Sequence, residues 1–231
     1  PRLQDLHIYA YRQIVNYLYL KAHADKYNYV YFVDTRDTLF QKDPFDYPLP
    51  DDKVCVFFED QLIKDTPPNV AWVKDVYGED GLKRIGENYV ACAGTFCIGP
   101  AQKVLEYMEV YIDELMRVAT PTATDQAVHN YLIHTNRYPH IQAYTYDEGP
   151  ILNATHRGTF TLGKNGVIYN RRGGTPNAVH MYDRYLVLAW RYSTWPLIAK
   201  LAWKKGPHQW YTTLRYKLAV FIKCYILQRP I

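Results

Sequence analysis

The apolar run Tyr29-Val30-Tyr31-Phe32-Val33 leads directly into Asp34-Thr35-Arg36-Asp37, after which Leu39 and Phe40 resume the apolar pattern. This pattern is typical of a strand buried in a sheet, with two carboxylates at its carboxyl end. In open α/β sheets, ligands bind in the crevice outside the strand ends. Carboxylate oxygens suit Mg²⁺ or Mn²⁺, which proteins hold with one or two carboxylates plus substrate phosphates. We therefore expect a ligand site at Asp34 and Asp37; the alternative is a pair of acids that stabilises a turn or caps the next element.

Strand-like and helix-like segments alternate along the chain, which predicts an α/β fold with a mixed sheet flanked by helices. The helical spacing of apolar residues predicts helices over 6–22, 101–115 and 125–133, the last capped by Thr124. The predicted strands are 29–33, 53–58 and 89–98, with Gly94 inside the third. The polar, proline-broken segment 60–79 predicts a surface excursion, and 149–174 predicts loops with short strands.

The composition is that of a globular protein with a full core: 231 residues, 48% hydrophobic and 22% charged. No run reaches 18 uninterrupted apolar residues, so no membrane span is predicted. The four cysteines form no CxxC pair and are too scattered for a disulfide framework. The 23 tyrosines fit half-buried core margins or a cleft that contacts sugars. Asn153-Ala154-Thr155 is a glycosylation acceptor triplet, which matters only in a secretory chain; the compartment stays open.

The segment 196–231 differs from the rest, with seven Lys and Arg and neither Asp nor Glu. Because the whole chain carries +4, the remainder is net negative by 3. Interleaved aromatic residues make this tail similar to segments that lie on anionic membrane surfaces. The alternative is a pair of packing helices with basic outer faces. We predict a domain over 1–195 and a basic aromatic helical tail over 196–231, and no nucleic-acid partner, since no recognised module is present.

The acidic cluster also resembles the motif of haloacid-dehalogenase-type phosphatases, which have a nucleophilic Asp, a second Asp two residues on and a Thr two further. Asp34 and Thr38 have that spacing. Arg36, however, occupies the position of the second acid, and a guanidinium cannot be deprotonated in a protein. Phosphatase chemistry is therefore a minor alternative.

Five short motifs occur in an order that resembles metal-dependent glycosyltransferases of the GT-A fold, especially the glycogenin-like and bacterial galactosyltransferase-like group. The motifs are Tyr11-Arg12, Asp34-Thr35-Arg36-Asp37, Ala93-Gly94-Thr95, Asp125-Gln126 and Val179-His180. The run that begins at Asp34, with the later Asp43-Pro44-Phe45, looks closer still to a DxRD-type branch. The resemblance covers roughly 8–184 and rests on the order and separation of the motifs.

The resemblance implies that Asp34, Asp37 and His180 bind Mn²⁺ or Mg²⁺, which bridges the diphosphate of a nucleotide-sugar donor, expected to be UDP-linked. The acceptor, a glycan, protein or lipid, stays open. The resemblance also implies roles in donor or acceptor binding and catalysis for further residues: Arg12 and Arg36 as phosphate contacts, Gly94 and Thr95 beside the sugar, and Asp125 and Gln126 as catalytic residues facing the sugar or acceptor.

Each of these residues also has a purely structural interpretation. Arg12 fits a solvated charge on a helix, and Arg36 fits an ion pair with Asp34 or Asp43. Gly94 fits a strand bulge, Asp125 a first-turn acid at a helix N-terminus, and His180 a core histidine bonded to Asp183. Only 33 residues precede Asp34, so the first strand and helix of the GT-A fold are expected to be missing: either they lie upstream of Pro1, or the nucleobase pocket is built differently. A degenerate glycosyltransferase-like module that binds without turnover is the competing hypothesis.

Overall fold

The structure is a computed structural model that describes residues 7–118, 125–155 and 159–192. Within that range the fold is mixed α/β, which confirms the coarse class predicted from sequence. The chain forms two compact units. Of the described residues, unit 1 contains 7–33, 48–118 and 125–145, and unit 2 contains 34–47, 146–155 and 159–192. The acidic cluster therefore opens the first segment of unit 2.

Unit 1 is built on a five-stranded mixed sheet. Its strands are β1 (Tyr29–Phe32), β3 (Val54–Leu62), β4 (Tyr89–Ala91), β5 (Cys97–Pro100) and β6 (Ile141–Tyr144). The long strand β3 is central: it pairs in parallel with β6 and antiparallel with β5 and β4, while β1 pairs antiparallel with β5. The amino-terminal half of β3 is buried and contributes to the core of the unit.

Four helices accompany this sheet: α1 (Ile8–His23), α2 (Pro67–Ile85), α3 (Ala101–Val118) and α4 (Asp125–His134). Helix α3 buries Val104, Tyr107, Met108, Tyr111 and Leu115, whose spacing places them on one face. That face packs in a core with β3, β5 and α1. The helices predicted over 6–22, 101–115 and 125–133 are thus confirmed.

Unit 2 contains a three-stranded sheet and a separate two-stranded hairpin. Its elements are β2 (Thr38–Phe40), β7 (Ile151–Asn153), β8 (Thr161–Leu162), β9 (Ile168–Tyr169), β10 (Ala178–His180) and α5 (Leu186–Tyr192). Its own core includes Leu152, Phe160 and Val179. The short strands expected between 149 and 174 are therefore present.

Three sequence predictions are wrong in detail. Most of 60–79 is not a surface excursion, because Pro67 and Pro68 occupy the first turn of α2, where the missing amide hydrogen costs nothing. The strand predicted over 89–98 is interrupted by a 3-10 turn at Ala93–Thr95, so Gly94 lies in a turn and is no strand bulge. Strand β1 is half-buried rather than buried, since among the described residues it pairs with β5 alone.

Other predictions fall on residues that the structure does not describe, namely the cap at Thr124 and the tail over 196–231 with its boundary at 195. In the described ranges, no helix is long and apolar enough to cross a membrane. Among the described residues, Cys55, Cys92 and Cys97 are buried free thiols.

Candidate metal centre

The three-stranded sheet of unit 2 brings polar side chains to one end. Strand β10 lies between β2, which runs antiparallel to it, and β7, which runs parallel to it. The register pairs His180, the last residue of β10, with Thr38 at the start of β2 and with Asn153 at the end of β7. The loop that carries Asp34 and Asp37 enters the sheet at that same end.

Backbone and hydroxyl hydrogen bonds fix the acidic loop against the sheet. The backbone amide of Met181 donates to the carbonyl oxygen of Asp37 over 2.7 Å. The Thr38 hydroxyl donates to the carbonyl oxygen of Asp34, also over 2.7 Å. Met181 has a φ of 63°, an uncommon left-handed conformation for a residue with a side chain. The loop and the turn after β10 therefore support each other directly behind His180.

The structure brings together the three residues predicted to bind a metal. One ligand atom from each of Asp34, Asp37 and His180 lies within 4.8 Å of the others. Asp37 and His180 are buried and Asp34 is half-buried. The Nε2 atom of His180 lies 3.7 Å from Oδ1 of Asp37. This donor set fits a divalent cation, since carboxylates supply the hard oxygens that suit Mg²⁺ and Mn²⁺, and neutral imidazole is a common metal ligand.

Asn153 contacts the other ring nitrogen of His180. The amide oxygen Oδ1 of Asn153 lies 3.1 Å from Nδ1 of His180, and both side chains are buried. In the sequence, Asn153 stands out only as part of a glycosylation triplet, and its contact with His180 was not predicted. The sequence feature that could have indicated a site residue is the position of Asn153 directly after an apolar segment, since Asp34 also directly follows an apolar run.

Negative charge is concentrated at Asp37. Burial, together with the nearby carboxylates of Asp183 and Asp34, raises the pKa of Asp37 to about 6, while Arg36 and Arg184 act in the opposite direction. The ionised form of this carboxyl is thus less favourable here than in water. A bound cation would offset that cost, which is a second reason why the site fits a metal.

Arg36 and Asp183 form a contact that was not predicted. The guanidinium of Arg36 lies 4.0 Å from Oδ2 of Asp183, and the Arg36 side chain is 75% exposed. The carboxylate of Asp43, one of the two ion-pair partners considered for Arg36, instead accepts from the backbone amide of Phe45 over 2.9 Å. Arg36 is therefore a largely solvent-facing cation at the rim of the acidic cluster.

The remaining predicted residues lie in unit 1. Arg12 donates to Oδ2 of Asp125 over 3.0 Å, so the two predicted residues form an ion pair. Gln126 is held at both ends of its amide: its oxygen accepts from the backbone amide of Ala93 over 2.7 Å, and its nitrogen donates to Asn69 over 3.2 Å. These contacts give each side chain a structural partner and leave the proposed catalytic roles as predictions.

Gly94 and Thr95, predicted to lie beside the sugar, are buried in the 3-10 turn between β4 and β5. Thr95 is fully buried, and its hydroxyl lies 3.5 Å from the carbonyl oxygen of Cys92. Gln126 contacts the first residue of the same turn. The Ala-Gly-Thr and Asp-Gln motifs, more than thirty residues apart in sequence, therefore meet in unit 1.

In chemical terms, the described residues of unit 2 provide a cluster of carboxylates with an imidazole nitrogen and two nearby arginines. Such a set can bind a divalent cation and, through it, an anionic oxygen ligand. The Thr38 hydroxyl, considered for phosphatase chemistry, donates a hydrogen bond to the backbone carbonyl oxygen of Asp34.

No protein-family model, curated protein or solved structure matches this chain.

Proposed function

We propose that this chain is a metal-dependent glycosyltransferase domain of the GT-A type, which transfers a sugar from a nucleotide-sugar donor to an acceptor. The observation that carries the proposal is the convergence of Asp34, Asp37 and His180, whose ligand atoms lie within 4.8 Å of one another. The order of the motifs in the sequence independently associates these three residues. Mn²⁺ or Mg²⁺ is the proposed cation and a UDP-linked sugar the proposed donor.

When bound, the cation would supply Lewis acidity that stabilises negative charge on the leaving nucleoside diphosphate. The chain's own residues prepare the site for this role. The carboxylates of Asp34 and Asp37 provide negative charge at the end of the small sheet. Arg36 and Arg184 are exposed cations beside Asp37, and this supports the proposal that they contact phosphate oxygens through charge-assisted hydrogen bonds.

Asp125 and Gln126 are proposed to contact the sugar or the acceptor, as the motif order implies. Arg12 fixes Oδ2 of Asp125 at 3.0 Å, so this carboxylate is held in one orientation. A general base must be both oriented and within reach of the proton that it accepts. The Arg12 contact supports the first requirement.

The proposal is tested by measuring UDP release from UDP-sugars with and without Mn²⁺, in the wild type and in Asp37→Ala. Asp43→Ala is the matched control, because Asp43 lies in the same segment of unit 2 and its carboxylate caps a local turn. We expect Mn²⁺-dependent UDP release that is lost in Asp37→Ala and kept in Asp43→Ala. Equal activity of Asp37→Ala and the wild type would rule out the proposal.

Two further measurements distinguish the alternatives from the proposal. Calorimetry with Mn²⁺ and nucleoside diphosphates that shows no metal-dependent heat, in a protein that releases no UDP from any donor, would favour a degenerate module that binds glycans or partners without turnover. Hydrolysis of a generic phosphate ester in Mg²⁺, without activity on nucleotide sugars, would identify a phosphatase.

A further inference from the structure

We infer that Asn153 is a positioning residue that sets the tautomer and ring orientation of His180 for metal binding. This inference deepens the proposed function and rests on it. Asn153 is fully buried and His180 is 3% exposed. Neither residue can therefore be reached freely by solvent, and the amide of Asn153 must be satisfied inside the protein.

The fold brings the two side chains together through strand register. Asn153 and His180 are the last residues of the parallel strands β7 and β10, and they are paired in register. Paired residues in neighbouring strands project from the same face of a sheet. The backbone amide of Ala154 donates to the carbonyl oxygen of His180 over 2.9 Å, which fixes the pairing at the end of the strands.

The chemistry of the contact selects one tautomer. An amide oxygen can only accept a hydrogen bond, so the contact of 3.1 Å between Oδ1 of Asn153 and Nδ1 of His180 requires the proton on Nδ1. In a neutral imidazole the lone pair then resides on Nε2, the atom that lies 3.7 Å from Oδ1 of Asp37. Histidine ligands of metals commonly depend on such a partner, whose loss weakens metal affinity.

The same burial bears on the glycosylation triplet that begins at Asn153. Attachment of a glycan requires an accessible amide nitrogen, and Asn153 is fully buried in the folded chain. The side chain is held beside His180 instead. The structure therefore favours the positioning role of Asn153 over a role as glycan acceptor.

The experiment measures the affinity of the full chain for Mn²⁺ by electron paramagnetic resonance in four proteins. These are the wild type, Asn153→Ala, Asn153→Asp and Asn177→Ala. Asn177 is the matched control, a buried asparagine just before β10 whose amide donates to the carbonyl oxygen of Asp43 over 2.6 Å. We expect Asn153→Ala to bind Mn²⁺ about 10–100-fold more weakly. Asn153→Asp, which keeps an acceptor, should restore most of the affinity, and Asn177→Ala should bind as the wild type does.

A second measurement reads the tautomer without metal. Nitrogen-15 NMR of the imidazole should show His180 protonated on Nδ1 in the wild type and a loss of that preference in Asn153→Ala, with thermal melting used to check that each variant is folded. A wild type that binds Mn²⁺ while Asn153→Ala binds equally well overturns the inference alone, as does a His180 protonated on Nε2. A wild type that binds no Mn²⁺ overturns the proposed metal site, and this inference with it.

Discussion

Arg12 donates to the carboxylate of Asp125 over 3.0 Å and so joins helix α1 to the first residue of helix α4. The two residues are 113 positions apart in sequence. The Asp125 side chain is 5% exposed and that of Arg12 is 31% exposed. Asp125 also lies in the first turn of its helix, where a negative charge is favourable. This ion pair thus links Arg12, predicted to contact phosphate, with Asp125, predicted to be catalytic.

A double-mutant cycle measures how much of this pair is structural. Asp125→Asn should lower the free energy of unfolding by about 1–3 kcal/mol, because it leaves the partly buried charge of Arg12 without its counter-ion. The double variant Asp125→Asn/Arg12→Met should lose less free energy of unfolding than the two single variants lose in total. The coupling energy from urea unfolding is the readout. The exposed pair Asp80 and Lys83, 3.4 Å apart, is the control, with an expected coupling near zero.

Asp37→Asn should separate metal binding from folding. At pH 7 the Asp37 carboxylate is ionised at a free-energy cost, since burial raises its pKa to about 6. The amide removes that cost, so the free energy of unfolding of the metal-free protein should be equal to that of the wild type or higher by about 1–2 kcal/mol. Mn²⁺ affinity should fall to background. Unfolding curves and Mn²⁺ titrations check the two parts, and a variant that binds Mn²⁺ normally would contradict the assignment of Asp37 as a ligand.

Arg36→Ala should weaken nucleotide binding without weakening metal binding. The Arg36 side chain is 75% exposed and lies 4.0 Å from Asp183, so its removal should change stability by less than about 0.5 kcal/mol. Loss of one charge-assisted contact should weaken binding of UDP in the presence of Mn²⁺ about tenfold. Affinity for Mn²⁺ alone should not fall, because the change removes positive charge near Asp37.

The control for Arg36 is Arg172→Ala, which removes an exposed arginine that pairs with Glu148 at 3.1 Å in the same unit. It should leave UDP binding unchanged. Calorimetry measures both affinities. If Arg36→Ala binds UDP as tightly as the wild type does, Arg36 is not a phosphate contact.

Residues fixed by local pattern were predicted well from sequence. The apolar run before Asp34 predicted a strand that ends at the acidic loop, and the structure has β1 over Tyr29–Phe32. Helix α3 was predicted because its apolar residues recur at helical spacing. The order of short motifs associated Asp34 and Asp37 with His180, and the three side chains do converge.

Residues fixed by tertiary pairing were missed. The contact of Asn153 with His180 depends on the parallel register of β7 and β10, and nothing local to either strand specifies that register. The contact of Arg36 with Asp183 likewise depends on tertiary structure, because the two residues are distant in sequence. Helix α2 was not predicted for a different reason: proline usually breaks a helix, but Pro67 and Pro68 lie in its first turn, where proline is favourable.

His129 predicts how the stability of the scaffold depends on pH. The side chain is fully buried, its Nδ1 lies 2.8 Å from the Tyr107 hydroxyl, and its ring stacks on Phe96. Burial lowers the pKa of His129 to about 3 from its ordinary value of 6.5. The unfolded chain therefore binds a proton below pH 6.5 that the folded chain does not bind until about pH 3. Stability attributable to His129 is complete above pH 6.5 and is lost as the pH falls toward 3.

The expected loss is about 1.4 kcal/mol for each pH unit below 6.5, or about 2 kcal/mol between pH 6.5 and pH 5. His129→Phe keeps a ring against Phe96 and removes the titrating group. The variant should be less stable than the wild type at pH 7.5, because the Tyr107 hydroxyl loses its partner, but its free energy of unfolding should fall less steeply toward pH 5. Urea unfolding of both proteins from pH 7.5 to pH 5 gives the two slopes, and equal slopes would show that His129 takes up a proton in the folded state or is accessible to water.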